Sequence, residues 1–169
     1  MAVAALARWT EAETALDSVW ALAQTAPRSI NASLPASLYY GDDAADIALN
    51  GRWIWTYADA GSSPPLEQAA FRKQLTIKKK PRAAVLVVTC DNEYRAWVNG
   101  QQVGADQDWT SNETLNLLPH LQVGQNEILI VGRNAGDAAN PAGLYAEIVL
   151  TGTDRKRVRM ATDETWQAS

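Results

Sequence analysis

Two hydrophobic periods divide the chain. In the first fifty residues Leu16, Val19, Trp20 and Ala23 fall at i, i+3, i+4 and i+7, the single apolar stripe of an amphipathic helix. Thr10 and Glu13 have the spacing of a capping box, the threonine oxygen meeting a free amide and the glutamate reaching back, and the pattern stops before Pro27. The following stretch "RSINASLPASLYYGDDAADIALNG" is small, polar and aperiodic. It reads as an irregular arm crossing the domain surface, with a short helix near Asp42 to Leu49, or equally as a linker from a neighbouring domain.

From Arg52 the period becomes two. Strands are expected at 53–57, 71–78, 83–90, 94–98, 101–104, 114–117, 127–133, 143–150, 157–162 and 165–168, separated by turn residues. In "YRAWVNGQQVG" Asn99-Gly100 supplies the two positive-φ positions of a tight hairpin. The run "AAVLVV" is apolar on both faces, which places that strand at the centre of a sheet. Many short strands with turns between them define an all-β, antiparallel sandwich rather than a parallel α/β sheet. Two units are therefore expected: residues 1–51 as a helix and arm packing on or leading into the sandwich, and 52–169 as the sandwich itself.

If successive strands run antiparallel, their connections must alternate between the two ends of the sandwich. Connections 58–70, 91–93, 105–113 and 134–142 then share one end, and 79–82, 99–100, 118–126 and 151–156 share the other. The first end collects Asp59, Asp91, Asn92, Glu93, Asp106, Asp108, Trp109, Arg133, Asn134, Asp137 and Asn140. Carboxylates, amides and a guanidinium hold vicinal hydroxyls, and an indole supports the flat C–H face of a sugar. Asp, Asn and Gly also favour turns for purely local reasons, so the long loops gathering at one end carry the functional reading. The candidate ligand-binding set is Trp109 as a stacking platform with Asp91, Asn92, Asp108, Arg133 and Asn134 as hydroxyl partners. The same oxygens would suit a structural calcium ion, although no EF-hand spacing is present. The second end carries "KKKPR" and "DRKR", a basic face that is either solubilising or open to an anionic partner.

Composition narrows the classes. Seven Trp and five Tyr against one Phe favour amphipathic aromatic plates beyond what a core requires. A net charge of −4 removes the basic footprint that nucleic-acid or anionic-membrane binding needs, and no apolar stretch approaches a membrane span. The lone Cys90 excludes an internal disulfide and ends an apolar run, as a buried thiol would. The opening "MAVAALA" is too short and too uncharged for a signal peptide, so a fragment of a larger protein is expected.

Catalytic patterns are sparse. The sole histidine, His120, follows Pro119 without a nucleophile elbow nearby, and one Cys with one His cannot complete a usual zinc ligand set. Glycines form neither GxxxxGK nor GxGxxG. Asp and Glu are plentiful, but nothing singles out a hydrolytic pair. An enzyme in its own right would need a deep pocket with two close carboxylates.

The ordered segments "FRKQLTI", "TCDNEYRAWVNGQQVG", "DW", "LNLLPHLQVGQNEILIVGRNAG", "NPAGLYAEIVL" and "TDETWQAS" resemble the galactose-binding-like jelly-roll domains attached to bacterial glycoside hydrolases. The likeness is greatest to the N-terminal sugar-binding-type domain of α-L-rhamnosidases, and it covers about Arg52 to Ser169. It implies an eight- or nine-stranded jelly roll in which "WIWTY" lies near "TWQA". Asn99-Gly100 matches the family's hairpin turn, Gly124 and Asn126 the turn before a strand, and Asn134 with Gly143 the loop after it. The resemblance further implies a non-catalytic carbohydrate-binding domain beside a catalytic module, in an extracellular or periplasmic protein. The alternative is a structural spacer or interaction domain that binds no sugar, for which exposed aromatics at Trp9, Trp20, Tyr39 and Tyr40 would mark a lost partner.

Overall fold

The computed structural model describes residues 51–56 and 60–169. The expected helix and arm, the aromatics Trp9, Trp20, Tyr39 and Tyr40, and the residues Tyr57 and Asp59 lie outside the described residues.

Nine strands follow in order: β1 Gln68–Ile77, β2 Ala83–Asp91, β3 Glu93–Val98, β4 Gln101–Asp106, β5 Glu113–Asn116, β6 Gly124–Arg133, β7 Gly143–Thr151, β8 Arg157–Ala161 and β9 Gln167–Ala168. They form a five-stranded sheet, β4-β3-β6-β1-β9, and a four-stranded sheet, β5-β2-β7-β8. Each ladder is antiparallel. This is the expected all-β jelly-roll sandwich.

The alternating residues of the two sheets meet in the core. Strand β2 contributes Ala84, Leu86, Val88 and Cys90, strand β7 contributes Leu144, Ala146 and Ile148, and Phe71, Tyr94, Ala96, Ile128 and Ile130 come from the facing sheet. These side chains are aliphatic, aromatic or small, and they fill a pleated and buried surface. Where the interior narrows, glycine is required: a Cβ on Gly104 would stand 2.5 Å from Leu115.

The hairpin between β3 and β4 turns on Asn99 and Gly100, with φ of 50° and 80°. Its side chain fixes the neighbouring turn as well. Asn99 Nδ2 donates to Asn126 Oδ1 at 2.9 Å, and Asn99 Oδ1 accepts the Glu127 amide at 3.0 Å.

One expected strand takes a different form. Within 53–57, Ile54 makes an isolated bridge to Leu144 of β7, whereas Gln167–Ala168 pairs with β1 in the opposite sheet. The "WIWTY" and "TWQA" segments are therefore not ladder neighbours. Aromatic packing replaces the ladder: Trp53 meets Tyr145 with ring centroids 6.2 Å apart, and Trp55 meets Phe71 at 5.4 Å. Gly143 makes room for the first of these rings, since a Cβ there would lie 2.7 Å from Trp53.

Candidate functional site

Register fixes which loops share an end. Gln68 and Glu93 both stand opposite Arg133, Tyr94 stands opposite Asp106, and Asp91 stands opposite Gly143. The starts of β1, β3, β5 and β7 and the ends of β2, β4 and β6 thus lie together, and the long loops cluster there as the alternation of connections requires.

Two groups of side chains occupy this end. The first surrounds the loop after β6. Asn92 Oδ1 accepts the Ala135 amide at 2.7 Å, while the Asn92 amide donates to the Arg133 carbonyl at 2.9 Å. Asn134 is 1% exposed. Its Nδ2 donates to the Pro65 and Asn140 carbonyls, each at 3.2 Å. Its Oδ1 is a buried acceptor without a protein donor. Leu66, Glu67, Gln68, Arg133, Asn134, Ala135 and Gly136 line an open, shallow depression of about 450 Å³.

The second group sits on the β4–β5 loop. Trp109 is 52% exposed, and its carbonyl accepts from the Thr89 hydroxyl at 3.1 Å, which anchors the backbone while leaving the indole outward. Asp106 Oδ2 accepts the Asp108 amide at 3.1 Å and Asp108 Oδ1 accepts the Thr110 amide at 2.9 Å, two successive turns closed by aspartate side chains. The hydrogen bonds from Thr110 hold the Asp108 carboxyl below its ordinary range.

Glu93 joins the groups. Its Oε1 meets Arg133 at 3.1 Å and its Oε2 accepts from Gln107 at 3.4 Å. Glu67 acts similarly beneath the depression, where its Oε1 accepts from Trp55 Nε1 at 3.1 Å and from Thr56 Oγ1 at 2.7 Å. Burial raises the Asp91 carboxyl above its ordinary range. Burial, Asp106 and Asp108 do the same to Glu113.

The structure therefore gathers Asn92, Arg133 and Asn134 around one loop and Asp108 with Trp109 on another, with Asp91 at the end of β2. Sequence reasoning placed Glu93 at this end without a role and missed Glu67. Both act through partners distant in sequence, and the acidic "DNE" turn was the only signal available for Glu93. His120, at the opposite end, contacts Gln101 Oε1 at 3.0 Å through Nδ1. Among the described residues no three His, Cys, Asp or Glu side chains gather as metal ligands would. No helix there is long and apolar enough to cross a membrane.

The fold and its loop-rich end define a galactose-binding-like jelly-roll domain. The chain is similar to part of an α-L-rhamnosidase from Streptomyces avermitilis, with 26% identity over 124 residues, 69% of this chain and 12% of the relative. The crystal structure of a Streptomyces avermitilis α-L-rhamnosidase complexed with L-rhamnose matches with a TM-score of 0.65 and 24% identity, over 70% of this chain and 12% of that one. A lectin from Pleurotus ostreatus in complex with GalNAc matches with a TM-score of 0.62 and 29% identity, over 71% of this chain and 35% of that one. A rhamnosidase of Bacillus sp. GL1 gives 0.58 and 26%, over 71% of this chain and 13% of that one. The sequence matches no protein-family model.

Proposed function

We propose that the chain is a non-catalytic carbohydrate-binding accessory domain of a larger extracellular or periplasmic protein that degrades polysaccharide. The observation that carries this reading is the similarity to a 12% portion of a rhamnosidase together with the likeness to a lectin of the same fold. The long-loop end supports it, because it carries the exposed indole of Trp109 and a depression lined in part by Arg133 and Asn134. Its shallowness suits recognition of a sugar unit, whereas a glycoside hydrolase in its own right would need a deep pocket with two close carboxylates.

The sugar's C–H face rests on Trp109, and its hydroxyls meet Asp108 on one side and Asp91, Asn92, Arg133 and Asn134 on the other. A site this open gives dissociation constants from about 0.1 to 1 mM, or about 4 to 6 kcal/mol. Isothermal titration against rhamnose-, galactose- and uronate-containing polysaccharides tests it, and the absence of binding to all three would overturn it.

A spacer or interaction domain is the second reading. It is favoured by the hydrogen bonds of Asn92 and Asn134, which are already engaged in shaping the loops. That reading requires no sugar binding at all, so the same titration separates the two.

A further inference from the structure

Cations along the strands are paired: Arg72 with Glu127, Lys73 with Asp163, Arg133 with Glu93 and Arg159 with Glu147. The end away from the long loops is built differently. There the β1–β2 connection carries Lys78, Lys79, Lys80 and Arg82, and the β7–β8 connection runs through Arg155 and Lys156 to Arg157, all of them exposed. Asp154 is the one carboxylate in these two connections, and it stands 4.0 Å from Lys156. Among the described residues Lys78, Lys80, Arg82 and Arg155 have no carboxylate partner.

Hydrogen bonds hold the two basic connections side by side. The Arg82 N–H donates to the Thr151 carbonyl at 2.8 Å, and Lys79 Nζ donates to Thr153 Oγ1 at 3.5 Å. The β7–β8 turn is closed by the Gly152 N–H on the Lys156 carbonyl at 2.8 Å and the Arg155 N–H on the Gly152 carbonyl at 3.0 Å. Arg155 has a φ of 65°, a left-handed backbone that side chains other than glycine, asparagine and aspartate enter at a cost. A long cation thus stands where turn geometry alone favours a small residue. Because Ala83, Thr151 and Arg157 are abreast on β2, β7 and β8, the charges form a band across three strands, about 10 Å wide.

Solubility is served by interspersed charges of both signs. A single-sign field in a chain of net charge −4 instead draws anions to one end of the molecule. Neither connection contains an aromatic residue on which a nucleic-acid base could stack, and neither contains a helix to enter a groove or lie in a lipid interface. We propose that the basic end docks a polyuronate, a polysaccharide carrying carboxylates along its length, with Lys80, Arg82 and Arg155 pairing with carboxylates of the chain. Ammonium and guanidinium groups make charge-assisted hydrogen bonds to such carboxylates without needing a deep pocket. The choice of polyanion rests on the carbohydrate-binding reading, but the surface is separate from the long loops that carry Trp109.

Isothermal titration of the full chain with polygalacturonate tests it, at about 25 and about 250 mM NaCl, between which binding should weaken about tenfold or more. The double variant Lys80→Glu/Arg82→Glu should lose about tenfold or more at the lower salt, and Lys80→Gln/Arg82→Gln should lose less. Arg155→Gly should also weaken binding without lowering the melting temperature, since glycine accepts the backbone that arginine is forced into. Wild-type affinity in a folded Lys80→Glu/Arg82→Glu variant overturns the proposal. So does tighter binding of duplex DNA or phosphatidylserine vesicles than of polygalacturonate through the same residues. Neutral rhamnose- and galactose-containing polysaccharides separate the two readings: binding of these without polygalacturonate removes the basic-end proposal alone, and binding of none removes both.

Discussion

Asn92 Oδ1 accepts the backbone N–H of Ala135 at 2.7 Å, so the turn between β2 and β3 holds the loop that follows β6. Removing that acceptor leaves a half-buried amide without its partner. Asn92→Ala should lose about 1 kcal/mol of stability in urea titration. Asn92→Asp keeps the oxygen and should stay near the wild type. Equal losses in the two variants would show that the bond to Ala135 is not what matters.

Trp109 allows the proposed binding to be tested apart from folding, because its indole is exposed while its carbonyl is fixed by Thr89. Trp109→Ala should weaken polysaccharide binding at least tenfold, about 1.4 kcal/mol. Its melting temperature should hardly change, as surface substitutions usually stay within about 0.5 kcal/mol. An unchanged titration curve would remove Trp109 from the site even with carbohydrate binding intact.

Gly132 immediately precedes Arg133 and is hemmed in from both sides. A Cβ there would lie 2.8 Å from Cys90 Sγ and 3.0 Å from the Trp55 ring. Gly132→Ala should cost about 1–3 kcal/mol as the core shifts to accommodate it. Denaturation monitored by tryptophan fluorescence reads the loss directly, and a wild-type midpoint would mean that Trp55 yields freely.

The raised carboxyls of Asp91 and Glu113 set a sign for pH dependence. Each binds its proton more tightly in the folded chain than in the unfolded one. The stability each contributes is complete below the unfolded pKa and disappears as pH rises through the higher folded value. Asp91→Asn and Glu113→Gln should therefore gain in melting temperature over the wild type from about pH 4 upward. Thr110 and Thr165 hold Asp108 and Asp163 the other way, but solvent screens those exposed groups. A gap between variant and wild type that does not vary with pH would contradict the assignment.

The sandwich was largely legible in the sequence because its signals are local. Asn99-Gly100 needs only its own backbone to make the turn, and apolar runs bounded by turn residues place β2, β6 and β7 within a few positions of their true limits. Long-range contacts defeated the same reasoning. "WIWTY" has the alternation of a strand, yet Trp53 and Trp55 spend it on Tyr145 and Phe71, in opposite sheets. The register shift between Ala96 and Trp97 leaves no mark in the sequence either. At the loop-rich end, composition revealed which residues assemble but not which are already committed to one another. Asn134 illustrates this, since its amide reaches back to Pro65 and only the fold brings the two together.

The separation of the two ends has a practical consequence for measuring binding. Four of the five lysines, Lys78, Lys79, Lys80 and Lys156, stand at the basic end, and Lys73 is engaged with Thr165 along β1. Lys79 reaches Thr153 at 3.5 Å, which draws the two basic segments together. Amine-directed attachment to a sensor surface would therefore orient the molecules largely alike, with Trp109 and the Arg133 loop directed into solution. Coupling through carboxylates would tether many of them by the loops proposed to bind.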